Sequence, residues 1–81
     1  MSDPRRARLR WRCRRGMKEL DVLLVRWIES AWAEAGENRR LAFEWLLEQP
    51  DPDLADWLIG GVRPPGADQA ALIDDILRHR D

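Results

Sequence analysis

The sequence predicts an all-α fold, a compact bundle of about five short helices that forms a single domain over residues 1–81. Apolar residues recur at helical spacings along most of the chain, and no segment alternates apolar and polar residues over a useful length. Prolines and glycines stand where helices would begin and end. A chain of 81 residues buries only a small core, to which five tryptophans can contribute large areas.

The first predicted helix begins after Asp3, which suits the N-cap position, and runs from Pro4 to about Arg14. Four side chains share one face by i, i+3, i+4 and i+7 spacing: Arg8, Trp11, Arg12 and Arg15. Seven arginines occur by residue 15, and their mutual repulsion weakens an isolated helix. Two interpretations stay open here, a face on which a partner docks and a solvated basic arm.

A corner is predicted at Gly16, because helical patterns lie on both sides and a helix end often needs a residue with positive φ. Glu19 then falls in the first turn of the second helix, where free N–H groups and the helix dipole favour a carboxylate. From geometry alone, this stretch is a helix–glycine–helix corner with a capping acid.

The second helix is predicted over about residues 17–35, with Gly36 as its end. Val22 and Val25 lie beside its core stripe, which consists of Leu20, Leu23, Leu24, Trp27, Ile28 and Ala31. The third helix is predicted over about residues 38–48 and ends before Pro50. It carries two adjoining apolar rows, Leu41, Ala42 and Trp45 beside Phe43, Leu46 and Leu47.

A second Asp-Pro pair predicts a short fourth helix with Asp51 as its N-cap and Pro52 in the first turn. Leu54, Trp57 and Leu58 form its core face, and Gly60-Gly61 ends it. A loop over residues 62–66 leads to the last helix, predicted from about Asp68 to Arg80. The core face of that helix consists of Leu72, Ile73, Ile76 and Leu77.

Charge is distributed unevenly along the chain. Residues 1–20 hold eight Lys/Arg against two Asp/Glu, a net +6, and the remainder carries −7. A polarised small protein tends to meet its partner through the minority charge, which here suits an acidic protein surface, nucleic acid or an anionic membrane. An isoelectric point near 5.8 argues against nucleic acid. The first helix has too few large apolar residues to insert into a membrane.

Residues for metal or nucleophilic chemistry are scarce. One histidine and one cysteine cannot supply a conventional soft-metal site. Cys13 is expected to be a small buried or half-buried apolar residue, and His79 a solvated residue at a helix end. Capping and early-helix positions explain Asp51, Asp53 and Asp56. We therefore expect neither an enzyme nor a metal site. No signal peptide and no apolar run near the ~20 residues of a membrane span are visible, so a cytoplasmic location fits.

The stretch from Arg8 to Asp21 resembles the signature region of the succinate dehydrogenase assembly factors, the SdhE family. Their hallmark is Arg-Gly-x-x-Glu, here Arg15-Gly16-x-x-Glu19. An arginine and a tryptophan precede the hallmark at matching spacing, and an aspartate follows the glutamate by two residues. Residues 50–58 and the total length are also similar, so the resemblance covers nearly the whole chain. Arg12 departs from the pattern, because a small residue is expected there in bacterial relatives.

The resemblance implies an assembly factor that binds the flavoprotein subunit of succinate dehydrogenase, and of fumarate reductase where present, and promotes covalent attachment of FAD. The partner's own histidine would attack the flavin, so this chain would be no enzyme and would bind no cofactor stably by itself. The partner-binding residues implied are Arg8, Trp11, Arg15, Gly16, Met17, Glu19 and Asp21.

We expect a monomer. The signature lies too close to Met1 for a mitochondrial targeting segment, which favours a cytoplasmic bacterial protein. An alternative function is nucleic-acid binding by the basic first helix, as in an antitoxin-like or regulatory small protein.

Overall fold

Five α-helices make up the computed structural model, which describes residues 3–79. The helices are α1 (Pro4–Arg12), α2 (Lys18–Ser30), α3 (Glu37–Leu47), α4 (Asp51–Leu58) and α5 (Ala67–Arg78), with a 3₁₀ helix at Trp32–Glu34. No strand occurs within residues 3–79. The radius of gyration is 11.6 Å, close to the ~12 Å expected of a compact chain of this length. The predicted all-α bundle is therefore confirmed.

The hydrophobic core lies where the helices meet, with α5 packed against α2, α3 and α4. Trp27 stacks on Phe43 with 4.5 Å between ring centroids, and it meets Trp32 edge-on at 6.4 Å. Most of the predicted core positions are buried: Leu20, Leu24, Trp27, Ile28, Ala31, Ala42, Phe43, Leu46, Leu47, Leu54, Leu58, Leu72, Ile73 and Ile76. Helical periodicity thus identified the faces that form the core.

The predicted core is wrong at Leu41 and is confirmed only in part at four flanking positions. Leu41 is 52% exposed. Trp57 is only partly buried, although it follows the buried Leu54 in α4, precedes the buried Leu58 and stacks on Trp45 with 5.3 Å between centroids. Leu23, Trp45 and Leu77 are likewise partly buried against the core. These residues cover the core and keep one side in solvent.

α2 ends at Ser30, five residues before its predicted end, and the chain turns through the 3₁₀ helix. Arg40 of α3 stabilises this turn, because its Nε and Nη2 donate to the Trp32 carbonyl at 3.1 and 2.8 Å. The guanidinium also lies 4.6 Å from the centroid of the Trp32 ring. Gly36 is therefore the extended N-cap of α3 instead of the end of α2.

The two Asp-Pro pairs have different roles. Asp3 caps α1 as predicted, since its Oδ1 accepts from the N–H groups of Arg5 and Arg6 at 3.0 and 3.1 Å. Asp51 is not a cap. Pro50 occupies the N-cap position of α4, and the Asp51 carboxylate accepts from an arginine elsewhere in the chain. The predicted end of the last helix at Arg80 lies outside the described residues.

Candidate functional site

Residues 13–19, here called the corner, connect the end of α1 to the first turn of α2. Gly16 has a φ of +87°, which confirms the predicted need for glycine. Its position differs from the prediction, because α1 ends at Arg12 and Gly16 lies in the loop that follows. A Cβ on Gly16 would meet nothing within 4 Å. The backbone conformation therefore requires glycine there, and the surface above it is open.

Asp21 holds the corner in shape from the first turn of α2. Its Oδ1 accepts from the N–H of Arg15 at 2.7 Å, and its Oδ2 accepts from the N–H of Gly16 at 3.3 Å. Two backbone donors that the helices leave unpaired are thereby satisfied. The bonds of Asp21 are internal to the protein.

Arg15 ties the corner to the connection between α3 and α4, and we call this set of contacts the tether. Its Nη1 donates to the Leu47 carbonyl at 2.6 Å, and its Nη2 donates to the Gln49 carbonyl at 2.7 Å. Its Nε donates to the Asp51 carboxylate at 2.8 Å. The Arg15 side chain is only 16% exposed. The planar guanidinium thus satisfies two carbonyls at the end of α3 and a carboxylate at the start of α4.

Glu19 and Met17 lie on the solvent side of the corner. Glu19 is exposed in the first turn of α2, and its carboxylate has no hydrogen bond or ion pair with any residue from 3 to 79. Met17 is the N-cap of α2 and is 41% exposed, and no side chain caps this helix. Glu19 therefore does not make the capping bond considered above, and its only interaction there is with the helix N-terminus.

α1 is packed onto the bundle, so the interpretation as a solvated arm is wrong. The side chains of Leu9 in α1 and of Cys13 at its C-terminal end are fully buried. Arg5 forms ion pairs with Glu37 and Glu44 of α3, and Arg10 with Glu29 of α2. The repulsion among arginines is thus relieved by acids of this same chain.

The solvent side of α1 carries Trp11, which is 77% exposed, and Arg8, which is exposed and has no ion pair with a described residue. The i, i+3 spacing places the two side chains next to each other. An exposed tryptophan beside a free arginine is a composition enriched at protein interfaces.

Cys13 fulfils the prediction of a small buried apolar residue. Its thiol donates to the Leu9 carbonyl at 3.3 Å, and burial raises the pKa of the thiol to about 12. Such a thiol is almost wholly protonated at neutral pH and is a poor nucleophile.

Among residues 3–79, no cluster of three or more His, Cys, Asp or Glu side chains could hold a metal ion. Within the same range, no helix is both long enough and apolar enough to cross a bilayer.

The seven predicted site residues divide into three groups. Gly16, Met17 and Glu19 are exposed at the corner, Arg8 and Trp11 lie on the solvent side of α1, and Arg15 and Asp21 bond inside the protein. This division separates residues available to a partner from residues that shape the corner.

A depression of about 790 Å³, here called the groove, adjoins the corner and was not predicted from the sequence. Its lining residues are Met17, Lys18, Glu19, Val22, Leu23, Leu58 and Ile59. The position of Val22 beside the core stripe of α2 was a signal of an exposed apolar side chain. The approach of the end of α4 was not visible in the sequence, since it depends on tertiary packing.

Comparison with known proteins agrees with the resemblance seen in the sequence. Residues 7–80 match the model of the family described as flavinator of succinate dehydrogenase. The chain is 45% identical over 69 residues to the FAD assembly factor SdhE of Coxiella burnetii, covering 85% of this chain and 84% of that protein. It is 38% identical over 81 residues to the protein of that name from Photobacterium profundum, covering 100% and 92%. The Vibrio cholerae protein is 40% identical over 74 residues, covering 91% and 86%.

Proposed function

This chain belongs to the family of flavinators of succinate dehydrogenase, and from that premise we propose that it binds the flavoprotein subunit of that enzyme and promotes covalent attachment of FAD. In this proposal the partner carries the FAD and supplies the side chain that bonds to it. The chain itself is no enzyme, binds no cofactor stably and acts as a monomer in the cytoplasm. Fumarate reductase, where present, would be a second client.

The observation that carries the proposal is the exposed Glu19 carboxylate, which has no partner among residues 3–79 and follows the open backbone of Gly16 by three residues. A glycine without neighbouring atoms above it lets the backbone of a partner approach closely. An exposed carboxylate next to it can accept charge-assisted hydrogen bonds from that partner. The backbone at Arg15 and Gly16 is held in place by the tether and by Asp21, so little ordering of the corner backbone is needed on binding.

We assign different roles to the two internal residues of the motif. Arg15 and Asp21 would act by fixing the shape of the corner, and Gly16, Met17 and Glu19 by contacting the flavoprotein. Arg8 and Trp11 would flank this contact, with Trp11 as an apolar anchor and Arg8 facing an acidic part of the partner.

Binding alone is sufficient to promote the reaction in principle. A protein that binds one conformation of the flavoprotein more tightly than others shifts the population toward it. An assembly factor that prefers the conformation in which the flavin and the attacking side chain are aligned therefore raises the rate of bond formation without taking part in it.

A protein partner fits α1 better than nucleic acid does. Arg5, Arg10 and Arg15 are engaged by carboxylates of this chain, which leaves fewer free cations to neutralise phosphates. Retention of labelled DNA by the protein, without capture of the flavoprotein, would reverse this preference.

The test is covalent flavin on the purified flavoprotein subunit, read by in-gel fluorescence after incubation with FAD and this protein. We expect Glu19→Gln to stay folded and to reduce flavin attachment by at least about tenfold, since it keeps the shape of the side chain and removes its charge. Glu48→Gln is the matched control, because Glu48 is also exposed and unpaired among the described residues. Normal attachment with Glu19→Gln would exclude Glu19 as the functional carboxylate.

A further inference from the structure

Three exposed apolar side chains of this protein lie together in the groove beside the corner. Six large apolar residues are strongly exposed in this range: Trp11, Met17, Val22, Leu41, Ile59 and Val62. Met17, Val22 and Ile59 all line the groove, at 41%, 43% and 49% exposure. Residues of α2 form one wall, and the end of α4 forms the other.

The corner by itself is too small for a stable complex. A specific interface buries about 800 Å² per partner and involves about 20–30 residues a side. The accessible surface of this chain is 5063 Å², so a flavoprotein bound at the corner must cover about a sixth of it. The contact must therefore extend beyond Gly16 and Glu19 onto neighbouring surface.

Two surfaces adjoin the corner, and they differ in chemistry. The solvent side of α1 is rich in arginine, which suits the polar rim of an interface. The groove is mostly apolar, and its two charged residues, Lys18 and Glu19, cancel. The centre of an interface is typically depleted in charge and enriched in apolar and aromatic side chains. The groove is the adjoining surface with that character.

We infer that the groove is the apolar centre of the docking surface and accepts a segment of the flavoprotein that carries aliphatic or aromatic side chains. This inference rests on the proposed function and extends it to Val22, Leu23, Leu58 and Ile59, none of which belongs to the Arg-Gly-x-x-Glu motif. Met17 and Glu19 belong to both the corner and the groove, so a single segment of the partner can contact the two together.

A pair of double variants tests the inference. Val22→Ser with Ile59→Ser removes two apolar side chains from the groove. Leu41→Ser with Val62→Ser removes two of the same kind, with 52% and 51% exposure, that do not line it. Affinity for the purified flavoprotein subunit is measured by titration calorimetry, beside the wild-type protein and Glu19→Gln. Thermal melts verify that each variant is folded, and sedimentation gives the oligomeric state.

We expect the groove variant to bind at least about tenfold more weakly, and the control to stay within about twofold of the wild type. If the groove variant binds as tightly as the wild type and Glu19→Gln binds more weakly, the inference about the groove is wrong and the proposed function stands. Equal losses in both double variants would also overturn it. A wild-type dimer that the groove variant dissolves would identify a second copy as the occupant. Failure of the wild-type protein to bind the subunit would remove the proposed function and this inference with it.

Discussion

At the scale of single residues, the Arg-Gly-x-x-Glu motif combines two kinds of position. The Arg15 side chain is almost enclosed and has three acceptors within the protein, whereas the Glu19 carboxylate faces solvent without a partner among the described residues. Substitutions at the two positions should therefore fail for different reasons. Stability measurements can separate them, because only Arg15 contributes hydrogen bonds to the fold.

Replacement of Arg15 by Ala should lower the free energy of unfolding by about 1.5–3 kcal/mol, the range for hydrogen bonds that involve a charged group. Arg15→Lys should fall between that variant and the wild type, since one ammonium cannot reach three acceptors as a planar guanidinium does. Urea unfolding measures both. Arg14→Ala is the control, because Arg14 is exposed. An Arg15→Ala variant as stable as the Arg14→Ala variant would show that the tether does not hold the corner.

Gly16→Ala should cost about 1–2 kcal/mol, because an L-residue is strained at the positive φ of this position. Gly16→Asn should cost less, since asparagine visits left-handed conformations more readily. Neither side chain meets another atom at its Cβ, so the loss measures backbone strain alone. Chemical denaturation of the two variants beside Gly36→Ala, whose φ is −71°, tests this order. A Gly16→Ala variant as stable as the wild-type protein would contradict it.

At the scale of helices, α1 shows how a highly basic segment can pack against the core. Leu9 and Cys13 supply its buried side, and Arg5 and Arg10 form ion pairs with acids of α3 and α2. Partly exposed ion pairs contribute little each, roughly 0.2–1 kcal/mol, so apolar burial must supply most of the docking energy.

Leu9→Ala should accordingly destabilise the protein by about 2–5 kcal/mol, as for other buried leucines. Arg5→Gln should cost much less, because the Arg5 side chain is 27% exposed and solvent screens its ion pairs. Thermal or urea unfolding monitored by circular dichroism gives both values. A larger loss for Arg5→Gln than for Leu9→Ala would mean that charge, and not burial, docks α1.

The helices could be predicted from the sequence because their signals are local. Apolar periodicity located all five, and Asp3 with Pro4 marked the start of α1 correctly. The 3₁₀ turn after α2 was missed, since it depends on Arg40 donating to the Trp32 carbonyl from another helix. For the same reason the sequence could not separate Arg15 from Glu19. The acceptors of Arg15 lie 32 to 36 residues away, and only the folded chain brings them to the corner.

At the scale of the whole molecule, Asp75 connects three helices. Its carboxylate accepts from the Trp27 indole of α2 at 2.7 Å and lies 3.6 Å from the Arg39 guanidinium of α3. Burial raises the pKa of this carboxyl. Hydrogen bonds from Trp27 and Arg78 and the nearby charges of His79 and Arg39 together lower the pKa by a larger amount, so the net shift is downward from 3.8.

A lowered pKa in the folded state means that the unfolded state binds the proton more readily. The contribution of Asp75 is therefore present above pH 3.8 and is lost as the pH falls through its folded pKa. We expect the free energy of unfolding to decrease as the pH falls below about 4, and Asp75→Asn to flatten that decrease. Urea unfolding at several pH values measures it, with the exposed Asp56→Asn as control. An unchanged acid profile in Asp75→Asn would assign the dependence to other carboxyls.

Residues that bond inside the protein and residues that face solvent at the corner are expected to diverge differently among related proteins. Arg15 and Asp21 form hydrogen bonds within the protein, whatever it binds. If the proposed function is right, a descendant that lost the flavoprotein partner would be released from selection at Glu19 and at the groove, but not at Arg15 and Asp21, which bond within the fold. The glutamate, and not the arginine or the aspartate, would then be the position that distinguishes a homologue with the proposed function from one that shares only the fold.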